Sequence, residues 1–450
     1  MTSPRKVAFE ALLDVERHDA YLNLVLPRLI NKYSIAGSDG GFTTELAYGT
    51  ARNQGFYDWV IEQAAKRSIA ELDDSVVIVL RLGAHQLLVL ETPPHAAIFE
   101  TVELAKSVCG KSAIPFVNAC LRRISERTEL QWLGLLDRSD LGEEDYLSVR
   151  YSHPAWVTRS IKLALQSEGA AAELEEALAA DNANPKVNLV ALPGRLGVES
   201  ESLQVGLASP IGYVLTGGDP AKLPEVERGD FRVQDQGSQL TALALAASEP
   251  IEPGEQWLDL CAGPGGKAVL LAALAKQGGA SLTTNEIAEH RAKLVATALR
   301  HSGQTATQLT KDGRKLGVDS KFDRIMLDAP CTGLGALRRR PESRWRKDAK
   351  SLKELTELQR ELLVAAWDYL KPGGTLHYVT CSPHPAETTA QIEWLLRAKQ
   401  GAQLLNVNDT MRGLNPELEL SPNRKTAQLW PHRNGTDAMF MASIRKPKVG

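Results

Sequence analysis

At 450 residues the chain is too long for one hydrophobic core, and about 100–200 residues per domain implies two or three. Its 43% hydrophobic and 24% charged residues are those of a soluble globular protein, and no apolar run approaches the roughly 18 residues that a membrane helix needs. A formal charge of −3 argues against a protein that coats nucleic acid by bulk attraction, although a local basic groove is compatible with it.

The first residues, MTSPRKVAFEALLDVERHDAYL, carry acids and a helical period rather than the charged-then-apolar layout of a signal peptide. Five cysteines are too few and too odd in number for a disulfide framework, and a cytoplasmic protein is expected. None forms a CxxC pair, so no metal site is expected. Apolar residues recur at helical spacing through residues 1–135, with loops at AGSDGG and ETPPH, which predicts a compact all-helical domain. In residues 136–230 two helical segments give way to the strand-like pieces VNLVAL and GYVLTGG, a small mixed α/β segment.

Across residues 231–450 strands alternate with helices. Strands are expected at 257–261, 282–286, 307–311, 324–328 and 376–380, which together read as a parallel, doubly wound sheet. TAQLWP and AMFMASIR read as a late hairpin at its edge.

The first of these strands runs into LDLCAGPGGKAVLL, where Gly263, Pro264, Gly265 and Gly266 open a helix. Glycines there let a ligand approach the backbone and the helix N-terminus. The loop is neither the phosphate-binding GxxxxGK[ST] nor the dinucleotide-binding GxGxxG. Glu286, at the tip of the second strand, is placed to accept bonds from ribose hydroxyls, and Asp312, in KDGR after the third, to meet an adenine amino group. Either acid alone is better explained by a helix cap or a solvated loop. In series with the glycine loop the ligand reading is the better one.

The fourth strand delivers FDRIMLDAPCTG and the fifth TLHYVTCSPHPAE, so that Asp328, Cys331 and Cys381 share one carboxyl edge of the sheet. A free cysteine is more often a small buried hydrophobe, which suits Cys109, Cys120 and Cys261. Two thiols at strand ends, flanked by proline, acid and small residues, are harder to explain by packing. A thiol attacks carbon only as thiolate, so its surroundings must lower its pKa. Between these strands, LRRRPESRWRKD places six basic residues and Trp345 within 338–347. That run suits phosphates and an unstacked base, with a solvated charged face as the ordinary alternative.

The series LDLCAGPGGK, NEI, KDGR, LDAPCTG and YVTCSPHPAE resembles the RNA cytosine-5 methyltransferases that use S-adenosylmethionine, over roughly the last 220 residues. The resemblance implies Cys381 as the nucleophile that adds to carbon 6 of cytosine, Asp328 at ring atom N3, and Cys331 assisting proton loss or release. It implies a cofactor loop of Cys261, Ala262, Gly263, Pro264, Gly265, Gly266 and Lys267, with Glu286, Asp312 and Asp328 completing the cofactor site. The family often has Ala where Gly263 stands and Asp where Glu286 stands. RNA contacts are implied at Arg338, Arg339, Arg340, Arg344 and Trp345.

PRKVAFEALLDVE and FVNACLRRI, with the segments between them, resemble the NusB antitermination-factor fold. Arg5, Lys6, Arg52, Arg122 and Arg123 are its candidate RNA contacts. The two parts together resemble the bacterial 16S ribosomal RNA cytosine-5 methyltransferase B family, which implies ribosomal RNA as partner. Neither DNA nor membrane is expected, and a monomer is. Transfer RNA as substrate, or an RNA-binding assembly factor with a vestigial catalytic half, are the rival readings.

Overall fold

The computed structural model describes residues 3–195, 198, 200–317 and 321–448. The chain divides into two compact units, one of Met1–Lys162, Ala172–Asn184 and Leu337–Arg346, the other of Leu163–Ala171, Pro185–Ala336 and Lys347–Gly450. The mixed segment read at 136–230 is therefore shared: the helices Glu143–Arg150 and Leu174–Ala180 fall in the first unit, and its strands fall in the second.

The first unit is all-helical. Its opening helix, Pro4–His18, begins where Ser3 accepts a bond from the Lys6 amide and Pro4 supplies a preset φ. Asp74–Leu88 is apolar on nearly every face and buried along most of its length, as a central helix must be. Helices Pro4–His18, Gly37–Arg52, Gln54–Ala65, Pro94–Val108 and Ile114–Ile124 pack on it. Each aliphatic side chain it buries contributes about 1.5–3 kcal/mol. Its polar residues are paired: Arg81 grips both oxygens of Asp58 at 2.6 and 2.8 Å, and His85 Nδ1 shares a 2.8 Å bond with the Tyr57 hydroxyl.

The second unit holds two sheets. Strands β1 (Val187–Ala191), β2 (Leu203–Val205), β3 (Gly212–Leu215) and β4 (Phe231–Val233) form a small antiparallel sheet in the order β2-β3-β1-β4. The larger sheet contains β5 (Gln256–Asp259), β6 (Ser281–Asn285), β7 (Thr307–Leu309), β8 (Phe322–Asp328), β9 (Leu370–Thr380), β10 (Gln403–Leu404), β11 (Ala427–Gln428) and β12 (Phe440–Arg445). Its order is β10-β12-β9-β8-β5-β6-β7, with β11 on β12. β5 to β9 run parallel, and the expected late hairpin adds β11 and β12 antiparallel.

This order reverses at β5, so the crevice beyond the ends of β5 and β8 is the topological switch point where such sheets bind ligands. The β8–β9 register sets Asp328 opposite Val379. Cys331 and Cys381 consequently leave the sheet side by side. β9 begins earlier than expected because its KPGG segment stays in the sheet across a register shift: Phe322 faces Leu370 while Arg324 faces Thr375. Among the described residues no helix is long and apolar enough to cross a membrane.

Candidate active site

The two cysteines meet. Cys331 Sγ and Cys381 Sγ lie 3.4 Å apart, each partly buried and neither in a disulfide. Two protons cannot be placed between sulfurs this close, so one thiol donates and the other accepts. Either sulfur could donate; the bond to Cys331 pulls the pKa of Cys381 down, burial and the charges of Asp328 and Asp437 oppose this, and the Lys267 ammonium assists it. Cys331 is pushed well up, first by that same bond, then by burial and the negative charges of Cys381, Glu387 and Asp328. The arrangement favours a Cys381 thiolate with Cys331 as its S–H donor.

Lys267 comes from the glycine loop. Gly265 takes φ 110°, a left-handed conformation that only glycine adopts readily, and this turn starts helix Gly266–Gln277. Lys267, in that helix's first turn, donates to Asp328 Oδ2 at 2.9 Å. Burial acts to lower its pKa, but the Asp328 carboxylate prevails and raises it. Beneath them, burial and then the charge of Asp328 push the Asp259 carboxyl up to about 7. The glycine loop, the Asp328 tip and both thiols thus form one site.

On the other side of the loop, Glu286 is only 4% exposed and accepts from the amides of Gly263 at 3.1 Å and Ala288 at 3.0 Å, with Arg291 at 3.5 Å. Gly263 is needed here because a Cβ would lie 2.3 Å from Glu286 Oε2. A small recess adjoins it, lined by Ala262, Thr284, Asn285, Glu286 and Leu309 among others. Asn285, which the sequence reading missed, ties the ends of β5, β6 and β7 together through the Leu260 carbonyl and the Lys311 carbonyl and amide. Asp312 is gripped by Arg314, which holds its pKa near 2, so an adenine amino group would have to share that carboxylate. The Cys261 thiol packs against the apolar cluster around Leu260 and Ile325. The bare Gly263 backbone and the acceptor carboxylate of Glu286 fit the ribose of S-adenosylmethionine.

The basic run requires a correction. Leu337–Arg346 belongs to the helical unit, and Arg344 is 0% exposed. Its Nη1 donates to the Ser152 carbonyl at 2.9 Å and Asn182 Oδ1 at 2.8 Å, and its Nη2 reaches the Asp181 carbonyl. It holds helix ends and loops in place and is closed to solvent, where the sequence reading expects an RNA contact. Arg338 is also buried, at 8% exposed. For Arg344 the cause is a set of carbonyls, supplied far away in sequence, that take the place of water around the guanidinium. Glu342 accepts from the Leu22 amide, Arg346 donates to the Ala20 carbonyl, and Arg340 and Arg346 lie over the Tyr21 ring. Arg340 and Trp345 reach solvent, the latter at 37%, and Arg339 is half-buried.

The front-domain candidates divide in the same way. Arg52 is buried and Arg5 is engaged with Gln86 and Glu100, whereas Lys6 is half-buried and Arg122 and Arg123 are exposed. Among the described residues no group of three or more His, Cys, Asp or Glu could hold a metal ion.

A parallel sheet reversing at β5, a glycine loop at the reversal and an acceptor carboxylate just past the tip of β6 define an S-adenosylmethionine-dependent methyltransferase, here with two thiols at its centre. Residues 246–445 match the model of the family described as 16S rRNA methyltransferase RsmB/F, and residues 2–126 match the NusB family. The chain is 43% identical over 450 residues to the methyltransferase homologue Rv1407 of Mycobacterium tuberculosis, covering 98% of this chain and 96% of that one. It is 31% identical over 464 residues to ribosomal RNA small subunit methyltransferase B of Escherichia coli, covering 98% of each. Among solved structures, that of PH0851 superposes with a TM-score of 0.79 at 23% identity over 99% of both chains, a likeness of fold. The chain belongs to the RsmB/F family of S-adenosylmethionine-dependent RNA methyltransferases, with a NusB-family domain at its front.

Proposed function

We propose that this protein methylates carbon 5 of one cytosine in 16S ribosomal RNA through a covalent adduct with Cys381. The observation that carries the reading is the 3.4 Å approach of Cys331 and Cys381 beside the Asp328–Lys267 pair. A methyltransferase acting on an amine or a hydroxyl needs no thiolate, because its acceptor atom already owns a lone pair. Carbon 5 of cytosine does not, and a nucleophile must first make it electron-rich.

The base leaves its stack to enter the site. The Cys381 thiolate forms a bond to carbon 6, and the electron pair of the 5,6 double bond moves toward carbon 5 and the ring. Asp328, with Lys267 behind it, meets the N3 edge where that charge accumulates; the proton N3 takes up comes from the Lys267 ammonium by way of the Asp328 carboxylate, and goes back when the ring double bond is restored. Bound S-adenosylmethionine supplies an electrophilic methyl group on a sulfonium, which carbon 5 is then able to accept. Once the carbon 5 proton is lost to a base, its electron pair restores the double bond and the carbon 6–sulfur bond breaks. Cys381 leaves as thiolate into the hydrogen bond from Cys331, which eases its departure.

The 16S specificity rests on kinship with methyltransferase B proteins and on the NusB-family domain. The test is transfer of tritiated methyl to small-subunit ribosomal RNA and, separately, to transfer RNA, with the product base mapped. Label should appear as 5-methylcytosine in ribosomal RNA, and Cys381→Ala should lower it by at least about 10⁴-fold while S-adenosylmethionine still binds. Appreciable turnover by Cys381→Ala would refute the nucleophile, and label confined to transfer RNA would refute the substrate.

A further inference from the structure

The two thiols are chemically alike and nearly in contact, so something else must decide which one carries the proton. One buried acid stands out that neither cofactor nor substrate chemistry has used. Glu387 lies six residues beyond Cys381, in the short turn Pro385–Glu387, and is 0% exposed. Its Oε1 accepts from the Thr332 amide at 2.8 Å and from Gln359 Nε2 at 3.1 Å, and its Oε2 accepts from the Thr332 hydroxyl. Acceptance at both oxygens is the pattern of a carboxylate.

These partners flank Cys331. Thr332 follows it, and Gln359 also donates to the carbonyl of Pro330, which precedes it, at 2.9 Å. The Cys381 loop is tied into the same network. Ser382 Oγ lies 3.1 Å from Thr332 Oγ1, and Tyr378, on β9, donates to the Glu387 carbonyl at 2.8 Å. Both cysteine loops are therefore tied to Glu387, the Cys331 loop directly through the carboxylate and the Cys381 loop through Thr332 and the Glu387 backbone carbonyl.

We propose that Glu387 is a positioning residue that assigns the shared proton: it fixes Cys331 against Cys381 and sets a negative charge beside Cys331, so that Cys331 stays the thiol and Cys381 the thiolate. The charges around the pair are arranged to that end. Glu387 acts on Cys331, and the Lys267 ammonium acts on Cys381. Asp328 burdens both sulfurs and Asp437 burdens Cys381, so neither of them favours a Cys381 thiolate. Lys267 and Glu387 polarise the sulfur pair from opposite ends.

The inference rests on Cys381 being the nucleophile, but its test needs no RNA. The full-length protein is treated with substoichiometric iodoacetamide, and the label at Cys331 and Cys381 is compared by peptide mass spectrometry. In the natural protein Cys381 should take roughly tenfold more label than Cys331, or better. Glu387→Gln, which keeps the size but loses the charge, should bring the ratio toward unity. Thr332→Val, which loses a bond but no charge, should leave Cys381 preferred, and so should Glu387→Asp.

S-adenosylmethionine binding reports that each variant is folded. A folded Glu387→Gln protein with the natural ratio would overturn the proposal. Should Glu387→Gln fail to fold, Glu387→Asp decides: label on Cys381 supports the proposal, and migration to Cys331 with the charge retained overturns it. If labelling behaves as expected while Cys381→Ala still methylates RNA, the proton assignment stands and the nucleophile reading falls.

Discussion

Two neighbouring stretches, LDAPCTG ending at Gly333 and LRRRPESRWR starting at Leu337, carry reactive-looking side chains and meet opposite fates. The cysteine of the first is brought against a second thiol by the end of a β-strand and stays partly open. The central arginine of the second is drawn into the helical unit and spends its donors on backbone carbonyls. A functional residue type is thus no guide to function until its hydrogen bonds are counted. A thiol forms weak hydrogen bonds and is easily left available, whereas a guanidinium whose terminal nitrogens the fold takes up is structural.

The contrast breaks most sharply at Cys331. If it donates to the departing Cys381 thiolate, Cys331→Ala should slow release by about 10²-fold or more and trap a protein–RNA adduct on denaturing gels. No adduct in the presence of S-adenosylmethionine and RNA, with Cys381 intact, would return Cys331 to a packing role.

The arginines give the second contrast. Arg344→Ala should cost about 3 kcal/mol, because it strands several buried carbonyls, and lower the melting temperature of the helical unit by on the order of 10 °C. Replacing Arg339 and Arg340 by alanine should leave that temperature nearly unchanged. It should instead reduce the slope of log affinity against log salt by one to two units, roughly the phosphates no longer neutralised. A reversed pattern, with Arg344→Ala changing only the salt slope, would restore the RNA reading of that side chain.

What could be read in advance follows from the same distinction. The glycine loop, the acid at the tip of β6 and both strand-end cysteines are legible because each interrupts a strand with a residue type that packing does not call for. The helical front shows through its apolar period. Glu387 was illegible: an acid in a proline-containing loop is ordinarily solvated, and its partner Thr332 is 55 residues away. Arg344 was misread for the same reason, since the carbonyls that bury it lie 163 and 192 residues away. Local sequence specifies which atoms are reactive, and long-range contacts decide whether they are used.

Glu286 falls between the two cases, since the fold uses part of its carboxylate and the cofactor is expected to use the rest. Its Oε2 takes the Gly263 amide at 3.1 Å, and it fits only because residue 263 lacks a Cβ. Gly263 does not have a left-handed φ, so alanine would be excluded there by this contact and not by the backbone. A shorter acid at residue 286 would leave room for a methyl group at residue 263. Gly263→Ala alone should displace the Glu286 carboxylate and weaken S-adenosylmethionine binding about tenfold, or ~1.4 kcal/mol. Glu286→Asp alone should weaken it less, by loss of the bond to the loop. The double variant should recover most of the affinity, giving a coupling of about 1 kcal/mol by titration calorimetry. Additive losses would show that loop and acid meet the cofactor independently, and that the carboxylate is spent on the fold as fully as the Arg344 guanidinium.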